Sequence, residues 1–293
     1  MSGAARAAAF FKLMSFSSVL RAGRRLAPLV LLAARLVQAD PLSKRLEVDF
    51  YRDVSSRDLQ GLATRSDGRL VGGPVLTELD GAPPADLLWC LAPGGAADRW
   101  LVGSGPDGKI FDVTVDAAAH TAAWREFAAL GEAHVFALLR RPDGTVLAGT
   151  SPKGALYLLR DGRPVARASL PVDSLFDLLA LDDHTALVAT GNPGRLYRID
   201  LPRFASGGIS ADRLSDPKLL ADHGITLFGE VRDRNLRRVV RLPDGRILAG
   251  SAPRGSVYAF PAAGGAPSIL QENRDAEVTD LLPQPNGDVF ALM

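Results

Sequence analysis

A repeat of about 40 residues constrains this chain more than any other feature. Residues 134–159 align with residues 174–199 without a gap, and ten of the 26 positions are identical. Residues 235–260 align with the first of these copies at an offset of 101, again with ten identities. Shorter or weaker copies begin at three further positions, Asp58, Asp86 and Glu277. Self-similarity at this period predicts that each copy is one supersecondary unit.

Each copy has the pattern of strands and tight turns. Between residues 134 and 170, short apolar stretches are separated by Pro142-Asp143-Gly144, by Ser151-Pro152-Lys153-Gly154 and by Asp161-Gly162. Turn residues between short β-forming runs are typical of an antiparallel meander. Four such strands per unit of about 40 residues predict a blade of a β-propeller. We therefore expect an all-β propeller of four-stranded antiparallel blades with about six blades begun. We expect helix only in the signal peptide and over residues 211–220, broken at Pro217.

One element recurs with the sequence G-[ST]-x-P-x-G-x-[LIV]-[YF]. It is found at residues 103–111, 149–157 and 250–258, and residues 189–197 carry a variant with the proline displaced by one position. The element ends on an aromatic residue in every copy, namely Phe111, Tyr157, Tyr197 and Tyr258. We interpret these rings as packing between neighbouring blades.

The Pro-Asp-Gly and Pro-x-Gly elements resemble those of bacterial exported propellers of the WD-repeat/YVTN-like superfamily. The resemblance covers residues 58–293 and lacks the Trp-Asp ending of true WD repeats. It implies a propeller fold. It implies little about function, because the matching positions are turn and packing residues.

Residues 1–39 have the organisation of a secretory signal peptide. Basic residues from Arg21 to Arg25 precede an apolar run from Leu26 to Val37, and Val37 and Ala39 suit a cleavage site before Asp40. Translation from Met14 instead of Met1 would give a signal of ordinary length. The alternatives are a membrane anchor and a disordered extension. Export predicts a periplasmic or secreted protein with no stable membrane span after the signal is removed.

The two ends of the repeat region depart from the pattern. The first copy is only 28 residues from the second, so residues 46–56, within an N-terminal segment at 40–57, are candidates for an outer blade strand. The last copy aligns Met293 with Thr150, which predicts that the final blade of the 58–293 propeller is unfinished.

Composition excludes several classes of function. The formal net charge of +1 offers no basic surplus for nucleic acid. The single cysteine, Cys90, excludes an intramolecular disulfide framework and a cysteine-rich zinc site, and four histidines leave little room for a histidine-built metal centre. No nucleophile elbow, phosphate-binding loop or zinc-protease motif is present. A non-catalytic scaffold that binds a protein or carbohydrate, without a cofactor, is the resulting hypothesis.

The insertion between the copies at 174 and 235 predicts a binding loop. Residues 228–235 read FGEVRDRN, and long loops on a rigid β scaffold often carry function. An aromatic ring beside paired charges could anchor a partner. The candidate residues are Phe228, Glu230, Arg232, Asp233 and Arg234. A solvated salt-bridge surface is the alternative interpretation.

A second candidate site is the ring of residues that begin the innermost strands. These residues are all polar: Asp58, Asp86, His134, Ser174, Asn235 and Glu277. Their oxygen atoms suit Ca²⁺, and a metal-dependent hydrolase of the gluconolactonase type uses comparable channel ligands. Calcium is therefore the one cofactor that the alternative, enzymatic hypothesis would require. The simpler interpretation is that strand ends are hydrophilic.

Overall fold

The computed structural model describes residues 48–55, 57, 59–65, 67–74, 76–274 and 276–293. The chain divides into two compact units, Met1–Leu76 and Thr77–Met293. The predicted signal peptide and the predicted strand start Asp58 lie outside the described residues.

The first unit contains one short helix and one hairpin. Helix α1 (Phe50–Asp53) lies where the sequence predicted an outer strand. It forms because the amide of Asp53 donates to the carbonyl of Asp49 at 2.7 Å, while the Asp53 carboxylate accepts the Asp49 amide at 3.0 Å. Strands β1 (Leu62–Thr64) and β2 (Leu70–Gly72) pair antiparallel, in agreement with the weak repeat copy in this region.

The second unit begins with two four-stranded antiparallel blades. Strands of the first blade are β3 (Leu87–Pro93), β4 (Arg99–Gly105), β5 (Lys109–Asp116) and β6 (Thr121–Ala129). Strands of the second blade are β7 (His134–Arg140), β8 (Val146–Ser151), β9 (Ala155–Arg160) and β10 (Arg163–Ser169). Each strand pairs with the next along the chain, as the meander pattern predicted.

The third blade carries the insertion. It contains β11 (Ser174–Ala180), β12 (Thr185–Gly191) and β13 (Arg195–Asp200), and then α2 (Leu201–Ser206), β14 (Ile209–Arg213) and α3 (Pro217–Asp222) before its outer strand β15 (Ile225–Glu230). Strand β14 leaves the third blade and pairs parallel with β10 of the second.

The helix predicted over residues 211–220 is therefore misplaced. Residues up to Arg213 are strand, and α3 begins at Pro217 instead of breaking there. Proline suits the first helical position because its missing N–H has no partner to bond there. The Asp216 carboxylate caps this helix by accepting the Lys218 amide at 2.8 Å. Helix α2 uses Asp200 in the same way.

The last strands of the second unit form a fourth blade and a hairpin. The fourth blade contains β16 (Asn235–Arg241), β17 (Ile247–Ala252), β18 (Gly255–Phe260) and β19 (Ser268–Asn273), and a hairpin of β20 (Asp280–Pro283) and β21 (Val289–Leu292) follows. The four blades and the final hairpin adjoin through their first strands, since β3, β7, β11, β16 and β20 contact one another in that order. Four-stranded antiparallel blades whose first strands adjoin in chain order constitute a β-propeller, as predicted.

The four repeated aromatic residues are buried, as the sequence predicted. Tyr157 belongs to a core cluster that joins Leu101 and Ile110 of the first blade to Ala148 and Leu159 of the second. This placement makes it an interblade packing residue. The turn before it requires glycine, because Gly154 has φ +56° and a Cβ there would lie 2.4 Å from the Val172 carbonyl oxygen.

None of the helices formed by the described residues has the length and apolar character needed to cross a lipid bilayer.

Candidate functional site

The first strand of every four-stranded blade contains a β-bulge at the same position. The register shifts between Leu88 and Cys90 in β3 and between Val135 and Ala137 in β7. The equivalent shifts in β11 and β16 each leave one residue of the strand outside the pairing register. The four bulged residues are Trp89, Phe136, Phe176 and Arg237. A bulge re-aims a side chain, and here it does so at equivalent points of four adjacent strands.

The bulged residues form a continuous set of ring contacts across these strands. The Phe136 and Phe176 rings are stacked with centroids 5.5 Å apart. The Arg237 guanidinium lies over the Phe176 ring, 4.5 Å from its centroid. His134 stacks on Phe136 at 5.6 Å with a 5° angle between the planes. We call Trp89, His134, Phe136 and Phe176 the aromatic row.

Trp89 forms the other end of the aromatic row. Its ring meets His134 and Phe136 edge-on, with centroid distances of 5.4 and 4.9 Å. Its indole Nε1–H donates to His134 Nδ1 at 3.1 Å. Trp89 is nevertheless 44% exposed, a large fraction for a residue held by several ring contacts. Its indole is therefore fixed in orientation and still accessible to a ligand.

The aromatic row borders a cavity of about 820 Å³, which we call the channel. Its wall includes Trp89 of β3, Phe136 of β7, Phe176 of β11, Arg237 of β16 and Asp280 of β20. The first strands of the four blades and of the final hairpin thus contribute to one cavity. Its volume is within the range of pockets that hold small ligands or single segments of larger ones.

A largely buried carboxylate, that of Asp177, lies in the channel wall, with its side chain 13% exposed. Asp177 accepts the Val239 amide at 2.8 Å and pairs with the Arg238 guanidinium at 3.3 Å. Burial raises the pKa of Asp177 to about 6, although Arg238 acts in the opposite direction. Arg238 also pairs with Asp280 at 2.8 Å. One arginine therefore links the third blade, the fourth blade and the final hairpin.

The five strand-start residues that the structure describes do not form the oxygen cluster that calcium would need. His134 belongs to the aromatic row, and the Ser174 hydroxyl lies 2.8 Å from that of Ser151. Asn235 opens β16, while Asp86 and Glu277 are exposed positions just before β3 and β20. Over the described ranges, no three His, Cys, Asp or Glu side chains are grouped so as to hold a metal ion.

The predicted binding loop at 228–235 is mostly structural. Residues up to Glu230 belong to β15, which pairs with β13. Phe228 is only 5% exposed, with its ring 6.1 Å from that of Phe260 and the Arg198 guanidinium above it. The prediction of a projecting aromatic anchor is therefore wrong, because this ring fills an interblade core.

The charged residues of the segment 228–235 fall into two groups, those engaged with other residues and those exposed at the surface. Asp233 is buried and accepts the hydroxyls of Ser251 at 2.6 Å and Tyr258 at 3.0 Å, so it joins the third and fourth blades. Glu230 pairs with Arg195 at 3.2 Å. Arg232 and Arg234 are exposed, as a surface loop predicts.

Sequence reasoning missed Trp89, Phe136, Phe176 and Arg237 as a group. One signal was present, because Phe136 and Phe176 are identical residues at the 40-residue offset. Such a match is equally expected of a core position. The β-bulge distinguishes a ring that faces the cavity from a ring in the core. It can be recognised only once the strands are paired.

Cys90 is a free, partly buried thiol between the first two blades. Its Sγ lies 3.6 Å from the Val135 carbonyl oxygen and packs against the cluster that joins the first two blades. Burial raises the pKa of the thiol to about 12, which keeps it in the unreactive protonated form at neutral pH.

Comparison with known proteins returned structural likenesses only. No protein-family model and no curated protein sequence matches the chain. The Cps50 (Swd1) β-propeller domain of Myceliophteria thermophila is similar at 12% identity and a TM-score of 0.48, over 73% of this chain and 64% of that domain. Virginiamycin B lyase from Staphylococcus aureus is similar at 12% identity and a TM-score of 0.48, over 79% of this chain and 76% of the lyase.

Proposed function

We propose that this chain is an exported, non-catalytic binding propeller whose channel holds a protein or carbohydrate ligand against the aromatic row. One observation carries the proposal: four adjacent blades place a bulged side chain at the same point of one cavity wall. The fold itself does not require these bulges. Nor does it require the tryptophan at one of them, Trp89, to be half-exposed. Fixed aromatic rings with accessible surface are the residues that most often supply the affinity of a binding site.

Non-catalytic binding is the simplest use of these groups. Cys90 is held protonated by burial, and Asp177 is engaged by Arg238 and a backbone amide. The residues best placed in the cavity are rings and guanidinium groups, which bind and orient without bond making.

Export is the part of the proposal that rests on the sequence alone. The basic and apolar segments of residues 1–39 support it. N-terminal sequencing of the protein recovered from the periplasmic or secreted fraction of an expressing bacterium tests it, with Asp40 as the expected first residue. Recovery only from the cytoplasm with residues 1–39 attached would refute it.

Binding is tested with the chain lacking residues 1–39, on a panel of peptides and oligosaccharides measured by fluorescence anisotropy. Phe176→Ala and Trp89→Ala should each weaken every specific interaction by roughly tenfold or more, the loss typical of a hot-spot ring. Phe290→Ala is the matched control, since Phe290 lies on β21 and is 66% exposed. Ligands should be recovered chemically unchanged. Equal binding by all three variants would refute the assignment of the channel.

A further inference from the structure

We infer that the channel recognises an acidic segment of a partner protein, with carboxylates bound by Arg237 and Arg140 and neighbouring apolar side chains against the channel wall. The inference rests on the proposed function and narrows its ligand from a protein or carbohydrate to an acidic peptide.

The first argument is the balance of charge in the wall. The residues that line the channel include four arginines and two aspartates, which are Arg140, Arg141, Arg237, Arg238, Asp177 and Asp280. Arg141 is paired with Asp143, outside the cavity, at 2.9 Å. The rest of the lining therefore keeps a positive excess, although the whole chain is almost neutral. A cavity with such an excess concentrates and orients anions.

The second argument is that the acidic groups of the channel wall are already paired, whereas two of its arginines form no ion pair with a described residue. Both aspartates are engaged by Arg238, and each also accepts a backbone amide, from Val239 for Asp177 and from Leu281 for Asp280. Within the described part of the chain, neither Arg237 nor Arg140 has an ion pair or a side-chain hydrogen bond. The charged groups left to a ligand are therefore donors. A guanidinium fork binds a carboxylate through two parallel hydrogen bonds.

The third argument concerns the orientation of the rings. Phe176 lies on β11, between Phe136 of β7 and Arg237 of β16. Its ring stacks on that of Phe136, and the Arg237 guanidinium lies over it. The contacts with these neighbours use the faces of Phe176, and its Cδ2 and Cε2 atoms lie against Gly191. The remaining edge of the ring is left for the cavity that Phe176 lines. Ring edges carry partial positive charge, whereas ring faces carry partial negative charge. The row thus reinforces the preference for ligands that supply acceptor oxygens.

The composition of the channel wall favours a peptide over a neutral sugar as the ligand. Sugar hydroxyls are donors as well as acceptors, and the two channel carboxylates that could accept from them are already engaged. Apolar side chains, including Leu91, Ala92, Leu138 and Leu178, line the same cavity. A segment in which acidic residues alternate with apolar ones satisfies both parts of this wall.

The test uses a short labelled peptide of Asp, Leu, Gly and Ser, and a matched peptide with Asn in place of each Asp. The chain lacking residues 1–39 should bind the Asp peptide roughly tenfold more tightly than the Asn peptide. Arg237→Gln should remove most of that difference, and Arg237→Lys should retain part of it. Arg246→Gln is the control, since Arg246 is exposed, pairs with Asp244 at 2.7 Å and is not part of the channel wall. Unchanged melting temperatures establish that the variants fold.

The remaining outcomes separate the inference from the proposed function. Equal affinity for the Asp and Asn peptides would overturn the inference. So would tighter binding of oligogalacturonate than of the Asp peptide, because an acidic saccharide would then be the better ligand. Binding of neutral maltohexaose alone, lost in Phe176→Ala, would overturn the inference and leave the proposed function standing. If no probe shows binding that depends on Phe176 or Trp89, both are wrong.

Discussion

The indole Nε1–H of Trp89 donates to Nδ1 of His134 at 3.1 Å and thereby joins the first strands of the first two blades. The acceptor must be an unprotonated nitrogen, so a neutral His134 carries its proton on Nε2. The same two rings meet edge to face at 5.4 Å. Trp89 is thus positioned from two directions while almost half of it stays exposed.

Trp89→Phe should affect stability little and ligand binding moderately. The variant keeps a ring but loses the indole N–H, and a half-exposed hydrogen bond of this kind is worth about 0.5–1 kcal/mol. Trp89→Ala removes the ring as well and should weaken binding of the Asp peptide roughly tenfold. Urea unfolding and anisotropy titration measure the two effects. Trp100→Phe is the control, because no described contact uses the Trp100 N–H, and it should leave peptide affinity unchanged.

Phe228→Ala should destabilise the protein by about 3 kcal/mol, the cost of truncating a buried phenylalanine. The ring is 5% exposed and packs against Phe260, so the variant leaves a cavity between blades. Leu227→Ala is the matched control, since Leu227 is the adjacent residue of β15 and is 54% exposed. Its cost should stay below about 1 kcal/mol. Equal urea midpoints for the two variants would contradict the burial of Phe228.

The blades could be predicted because their signals are local and repeated. Most turns are specified by a Gly or Pro within a few residues, as at Gly154, and the Pro-Asp-Gly and Pro-x-Gly turns recur in several copies. Agreement between copies removes the ambiguity that a single short strand would have. The buried positions of Tyr157 and its equivalents followed from the same alignment.

The segment 228–235 could not be interpreted in this way. The insertion interrupts the repeat, so no other copy indicates that Phe228 lies on a strand. Asp233 looks like part of a charged loop, but its two hydroxyl partners, Ser251 and Tyr258, belong to the following blade. Burial of a carboxylate by partners from another blade leaves no mark in its local sequence.

Tyr157→Phe should cost about 1–3 kcal/mol, because it removes the hydroxyl that donates to the buried Glu132 at 2.8 Å and accepts from Arg167 at 2.9 Å. Tyr197→Phe is the matched control at the equivalent position. Its hydroxyl meets the Arg195 guanidinium only at 3.5 Å, so the cost should be smaller. Comparison of the two free energies of unfolding tests the ranking, and the reverse order would exclude a role for the Glu132 contact.

Cys90 should react slowly in the native protein. Burial raises its thiol pKa to about 12, so the thiolate that attacks alkylating reagents is scarce at pH 8. Labelling with iodoacetamide, followed by mass spectrometry, should show little modification in buffer and complete modification in urea. Equal rates under both conditions would mean that the thiol is accessible in the folded state.

Asp177 should make both stability and ligand binding depend on pH. Its folded pKa of about 6 lies above the ordinary value of 3.8, so the folded protein holds a proton there that the unfolded chain releases. The stabilisation from the neutral group is therefore complete below about pH 4 and is lost as the pH rises through about 6.

The charged groups that face Asp177 are Arg238 of β16 and Asp280 of β20. Protonation of Asp177 adds positive charge to the channel, so the Asp peptide should bind roughly three- to tenfold more tightly at pH 5.5 than at pH 7.5. Asp177→Asn keeps an acceptor for the Val239 amide and stays neutral at both pH values. It should bind equally well at both, with the affinity of the native protein at pH 5.5. An Asp177→Asn variant that retained the full pH dependence would assign the effect to another group.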